Sequence, residues 1–111
     1  MRKTFIIFLG IYIFFFRTSF AQVVNIPDKL FKSFLINNGV DKNGNGSIES
    51  FEALLCDSLE VSQIGIKDLT GLGSFVNLRF LGCDYNDLEK LNVSGNPNLE
   101  ELSCLYNLID T

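Results

Sequence analysis

The stretch from Leu78 to Ile109 repeats itself, and this repeat constrains the fold more than any other feature of the chain. Shifted forward by 21 residues, Leu78 lands on Leu99, Leu81 on Leu102, Cys83 on Cys104, Tyr85 on Tyr106, Asn86 on Asn107 and Leu88 on Ile109. Leu88, Leu91, Val93 and Asn96 form a half-step echo between the two copies. Shifted backward by 22 residues, a fainter copy places Leu59 under Leu81, Val61 under Cys83, Ile66 under Leu88 and Leu69 under Leu91.

A unit of this length cannot bury an apolar face alone, so the units must stack and bury their leucines against one another. The Leu-x-Cys core alternates with period two, which predicts a short strand in each unit: Leu59–Val61, Leu81–Cys83 and Leu102–Cys104. The Asn after each strand turns the chain, and its amide can satisfy backbone groups stranded at the bend. With this spacing, and with Gly65-Ile66-Lys67-Asp68-Leu69-Thr70-Gly71-Leu72 followed by Asn77-Leu78, the chain resembles the leucine-rich-repeat family, in particular its secreted bacterial, internalin-like members. The resemblance covers Ser58 to the C-terminus. The first copy departs from the pattern, because Ile64 stands where the turn Asn belongs.

The N-terminus reads as a leader. Met1-Arg2-Lys3 is basic, Thr4–Phe16 is an apolar run, and Ser19-Phe20-Ala21 offers the small residues of a cleavage site before Gln22. The alternative is a membrane anchor, but the run is well short of the roughly 20 residues that a bilayer demands. No lipobox Cys follows it. Without residues 1–21 the chain keeps six basic and thirteen acidic residues, a formal charge of −7. An acidic surface argues against nucleic acid and anionic membranes as partners, and suits binding of cations or proteins.

Three cysteines follow the leader: Cys56, Cys83 and Cys104. An odd number leaves at least one thiol over. Cys83 and Cys104 share a repeat position, so they should lie on adjacent strands about 5 Å apart. Both point inward in parallel and read as small buried apolar residues rather than a bridge, and Cys56, at a different phase, also reads as core.

Between leader and repeats lies a short helical unit. Gln22–Ile26 reads as extended chain. Pro27 suits a first helical position, with Asp28 in the first turn. Leu30, Phe31, Phe34 and Leu35 make an apolar stripe, and Asn37-Asn38-Gly39 ends the helix. Ser50 to about Asp57 reads as an exit helix with Phe51, Leu54 and Leu55 apolar.

The segment between them, Asp41-Lys42-Asn43-Gly44-Asn45-Gly46-Ser47-Ile48-Glu49-Ser50-Phe51-Glu52, resembles the twelve-residue calcium loop of the EF-hand and dockerin families. The resemblance implies side-chain oxygens from Asp41, Asn43 and Asn45, the backbone carbonyl of Ser47, Glu49 directly or through water, and two oxygens from Glu52. Ca²⁺ wants six to eight such oxygens at about 2.3–2.6 Å. Gly46 permits the sharp turn, and Ile48 would pin the loop to the core. With Asn at two ligand positions and a single loop, the resemblance implies weak, structural binding, with a Kd of about 10⁻⁴–10⁻³ M. The alternative is an Asn/Gly-rich connector that folds the same way without metal. Internalin-like proteins carry such a helical cap ahead of their first repeat, which shields the end of the array from water.

The expected architecture is therefore α/β: a leader over residues 1–21, an EF-hand-like cap over 22–57, and a leucine-rich-repeat solenoid of short parallel strands over 58–111, truncated at its C-terminus. Residues interleaved with the buried ones should line a concave face: Phe80, Gly82, Asp84 and Tyr85, then Glu101, Ser103, Leu105 and Tyr106. Exposed aromatics on a rigid sheet can anchor a protein or glycan, although Tyr85 and Tyr106 can equally cover the turn and bind nothing.

The chain has no His, which removes His-based triads and the zinc His-Glu-x-x-His site. It has no Gly-rich phosphate loop either, so an enzyme is not expected. The leading expectation is a secreted or cell-surface binding and adhesion module. The alternatives are a dockerin-like docking element or the N-terminal part of a larger exported enzyme.

Overall fold

Asp28 opens the first helix. The computed structural model describes residues 22–110, so the expected leader and Thr111 lie outside the described residues. The Asp28 side chain accepts hydrogen bonds from the backbone N–H of Leu30 (3.0 Å) and Phe31 (3.1 Å), two donors that any helix start leaves without helical partners. Helix α1 spans Lys29–Asn37. It begins later than the sequence suggested: Asp28 is the extended cap, not a first-turn residue, and Pro27 precedes it. Phe31 and Leu35 are fully buried, but Leu30 is 48% exposed. Neighbouring helix positions diverge by about 100°, so Leu30 lies at the rim of the stripe.

Helix α2 spans Ser50–Leu54 and stops short of the expected Asp57. Its last turn tightens, with Leu55 N–H on the Glu52 carbonyl and Cys56 N–H on the Ala53 carbonyl (both 3.2 Å). The Asp57 carbonyl is engaged elsewhere, by the N–H groups of Arg79 (2.8 Å) and Phe80 (3.2 Å). Strand pairing thus claims the residues that would have extended the helix. Leu54 and Leu55 are exposed in consequence, against the expectation of an apolar face.

Three short strands follow: β1 Ser58–Glu60, β2 Phe80–Gly82 and β3 Glu101–Ser103. Each begins one residue earlier than the alternation suggested. They form one parallel sheet in sequence order, with Leu59 opposite Leu81 and Leu81 opposite Leu102. The period-21 repeat is therefore a repeat in space. The result is a mixed α/β fold with an open parallel sheet, not a closed barrel.

Beneath the sheet, Leu59, Val61, Ile66, Leu72, Phe75, Leu78, Leu81, Cys83 and Leu88 are all buried. They join Phe31, Leu35, Ile48 and Ala53 of the helical unit in one continuous core. The third layer is more open. Leu102 is 44% exposed where Leu81 is 0%, and Leu99, Cys104 and Ile109 are half-buried. All three cysteines are free thiols. Cys83 is buried as expected, while Cys56 and Cys104 are half-buried rather than core.

The turn asparagines bind the layers together. Asn86 accepts from the N–H groups of Ile64 (3.1 Å), Gly65 (2.9 Å) and Ile66 (3.0 Å). Its amide donates to the carbonyls of Val61 (2.8 Å) and Cys83 (3.1 Å). Asn107 does the same one repeat later, accepting from Leu88 N–H (3.1 Å) and donating to the Cys83 carbonyl (2.8 Å). Each Asn reaches back to the preceding repeat. The first repeat has none before it, so Ile64 in place of Asn costs nothing there. The helical unit supplies the contact instead: the second Asp28 oxygen accepts from the N–H groups of Lys67 (2.9 Å) and Asp68 (3.1 Å).

Candidate functional site

The Asp41–Glu52 loop is built from its own side chains. Asp41 accepts from the N–H groups of Gly44 (3.0 Å), Asn45 (3.3 Å) and Gly46 (2.9 Å). Asn43 accepts from Asn45 N–H (3.2 Å), and Asn45 from Ser47 N–H (3.0 Å). Gly46 takes φ +82°, a left-handed conformation that side chains disfavour. Glu52 is 1% exposed. One of its oxygens accepts from Lys42 and Asn43 N–H, the other from Glu49 N–H (2.9 Å).

The loop also has a strand partner. Val24 N–H donates to the Ile48 carbonyl (2.8 Å), and Ser50 N–H to the Gln22 carbonyl (2.8 Å). Val23 and Glu49 thereby form an antiparallel bridge. The extended segment before Pro27 closes the loop and holds Ile48, 1% exposed, in the core. The sequence offered no signal for this pairing beyond the two valines.

Of the six residues singled out as ligands, Asp41, Glu49 and Glu52 converge, with carboxylate oxygens within 4.8 Å of one another. Glu49 is 6% exposed, and its Oε2 is buried without a hydrogen-bond partner among the described residues. Asn43 and Asn45 turn their amide nitrogens toward Glu49 Oε1, while their oxygens serve the backbone. Ser47 is half-buried at the bend. Burial, and then the adjacent Glu49, pushes the Glu52 carboxyl above the ordinary range. Hydrogen bonds from Glu52 and then Asn45 hold Glu49 below it. Like charges in one small volume disfavour a second ionisation, so this cage is short of positive charge.

The second candidate site is the sheet face. Tyr85 and Tyr106 stack with ring centroids 4.5 Å apart and planes 11° apart. They are 52% and 70% exposed. Both sit at φ +55°, and Gln63 takes φ +60° at the matching position of the first repeat. This left-handed turn is held by cross-repeat bonds such as Tyr85 N–H to the Leu105 carbonyl (2.9 Å). Asp84 is less free than the alternation suggested: it accepts from Ser103 Oγ and Leu105 N–H, both at 2.7 Å. Gly82 is buried, and Phe80 and Ser103 are half-buried, whereas Glu101 and Leu105 are exposed. Glu60 and Ser62, not among the expected face residues, extend the polar network, with Ser62 Oγ donating to Glu60 and accepting from Asp84 N–H (3.0 Å). Their place under Gly82 and Asp84 in the 22-residue shift could have revealed them. A separate groove of about 570 Å³, lined in part by Asp68, Thr70, Lys90 and Ser94, contains none of the expected site residues.

No protein-family model and no curated protein matches this chain. Solved structures do. Two structures of Clostridium perfringens ZmpB, containing its CBM51-2 and INT domains, one of them in complex with GlcNAc, are each 34% identical with a TM-score of 0.64. The match covers 75% of this chain and 17% of either. The functional domain of Listeria monocytogenes InlJ, which includes a cysteine ladder, is 27% identical with a TM-score of 0.66, over 78% of this chain and 19% of that one. The chain thus spans under a fifth of the length of these structures. Its stacked leucines and parallel strands, together with the similarity to InlJ, support an internalin-like fold.

Proposed function

We propose that this chain is a leucine-rich-repeat solenoid module of a secreted or surface-displayed protein, whose sheet face binds a protein or glycan. One observation carries the reading: Leu59, Leu81 and Leu102 stack in register and hold two stacked, exposed tyrosines beside them. A rigid array with exposed aromatic anchors is built to recognise rather than to react. The similarity to part of a ZmpB structure that also holds a GlcNAc-bound module, and to part of the InlJ functional domain, is in keeping with a binding role. InlJ's cysteine ladder finds a parallel in Cys83 and Cys104 on adjacent repeats. Among the described residues no helix is long and apolar enough to cross a membrane.

The reading includes a Ca²⁺ ion that braces the cap. What supports it is the convergence of Asp41, Glu49 and Glu52 and the orphaned Oε2 of Glu49. A divalent cation would satisfy that oxygen and neutralise the crowded carboxylates, with the Ser47 carbonyl and the Asn43 and Asn45 amides completing the donor set. The asparagine amides now donate to Glu49 and would have to turn, which is in keeping with weak binding. At about 10 mM calcium and a Kd of about 1 mM, binding adds about 1.4 kcal/mol. The melting temperature of the chain should rise by about 5–10 °C. Asp41→Ala combined with Glu52→Ala should abolish the rise. An unchanged wild-type melt in calcium would remove the metal from the reading and leave the binding face untouched.

A further inference from the structure

Three columns of residues cross the sheet face, and they are chemically uneven. Glu60, Gly82 and Ser103 share one column, by the strand register. A Cβ on Gly82 would meet the Glu60 carboxyl carbon at 2.8 Å, so the missing side chain lets Glu60 lie across the sheet. Phe80 and Glu101 share a second column. Asp84 and Leu105 occupy the third, followed at once by the tyrosine pair. Glu60, Asp84 and Glu101 give the face three carboxylates, and no Lys or Arg occupies any of these positions. The adjacent cation in the chain, Arg79, is spent on Glu100 at 3.0 Å.

We propose that this face binds a cationic segment of a partner protein, with an arginine laid on the Tyr106 ring among these carboxylates. The inference rests on the sheet face being the binding surface. Tyr106 is the more exposed ring of the pair, and a guanidinium over an aromatic face gains electrostatic attraction from the ring itself. The stack holds the two rings against each other beforehand, so less ordering remains to oppose binding. A neutral glycan could use the rings but leaves the charge uncompensated, whereas a basic peptide uses both.

Fluorescence anisotropy tests this with the chain and three short labelled peptides of one sequence, carrying Arg, Gln or Glu at the same positions, together with a chito-oligosaccharide. The Arg peptide should bind, and the Gln and Glu peptides should bind at least about tenfold more weakly. Raising NaCl from about 50 to about 500 mM should weaken the Arg peptide about tenfold. Glu101→Gln, at an exposed side chain, should weaken it about 2–5-fold. Tyr106→Asn keeps a residue that tolerates the left-handed backbone and should weaken it about 5–30-fold, with an unchanged circular-dichroism spectrum. Equal binding of the Arg and Gln peptides, or of wild type and Tyr106→Asn, would overturn the cationic partner. Oligosaccharide binding that is lost in Tyr106→Asn, without binding of the Arg peptide, would overturn it while leaving the binding face in place. Binding of no probe would overturn both.

Discussion

Asp28 shows how much one side chain can do in a chain this small. One carboxylate oxygen caps α1, and the other holds Lys67 and Asp68 of the first repeat. Partial burial works to raise its pKa, but the N–H donors of Lys67, Phe31, Asp68 and Leu30 outweigh that and hold it below the ordinary 3.8. A depressed folded-state pKa gives stability that is complete above the unfolded value and is lost as pH falls through the folded one. Asp28→Asn keeps one cap acceptor and loses the second oxygen, so it should destabilise the chain by about 1–2 kcal/mol at neutral pH. In thermal melts the gap between wild type and variant should close below pH 3.8, and a gap unchanged at low pH would contradict the assignment. This double role was invisible in the sequence, since Lys67 and Asp68 lie 39 and 40 residues away. Cys83, by contrast, was legible: its place at the inward repeat position foretold burial. That burial, with the neighbouring Cys104, pushes its thiol up to about 12, so it remains protonated and inert in the native chain.

Among the elements, the loop and the strands differ in how plainly they could be read. The loop's residue types announce its bend, with carboxylates and amides spaced to serve the backbone. What they could not announce is the strand that closes it. The Val24 N–H to Ile48 bond (2.8 Å) makes the loop depend on a segment that local pattern marks only as extended. Val24→Pro removes that donor and should cost about 2–3 kcal/mol. Val23→Pro alters a residue that is 56% exposed and should cost about 1 kcal/mol or less. Equal losses in urea-denaturation midpoints would show that the bridge does not hold the loop. Helix α2 failed the sequence reading for a related reason. Its apolar Leu54 and Leu55 suggested a longer helix, but the Asp57 carbonyl serves the second repeat. A local pattern carries no information about competition from a strand more than 20 residues on.

At the scale of the whole molecule, stability should fall off from the helical unit toward the third repeat. The buried core runs from Val24 to Leu88, whereas Leu99, Cys104 and Ile109 of the third repeat are half-buried and Leu102 is exposed. Leu81→Ala should cost about 3–4 kcal/mol, as expected for a fully buried leucine. Leu102→Ala, at the same repeat position but 44% exposed, should cost about 1 kcal/mol or less, because little apolar area leaves the core. Comparable losses from the two would contradict this gradient. The sequence by itself determined the period, the parallel stacking of Leu59, Leu81 and Leu102, the inward place of Cys83 and the alignment of Tyr85 with Tyr106, because a repeat carries its neighbour's position within its own spacing. Only the tertiary structure decided where α2 stops, that Val24 closes the acidic loop, and that Asp28 joins the helical unit to the first repeat. Those choices are settled by hydrogen bonds between groups far apart in the chain, where no periodicity links donor to acceptor.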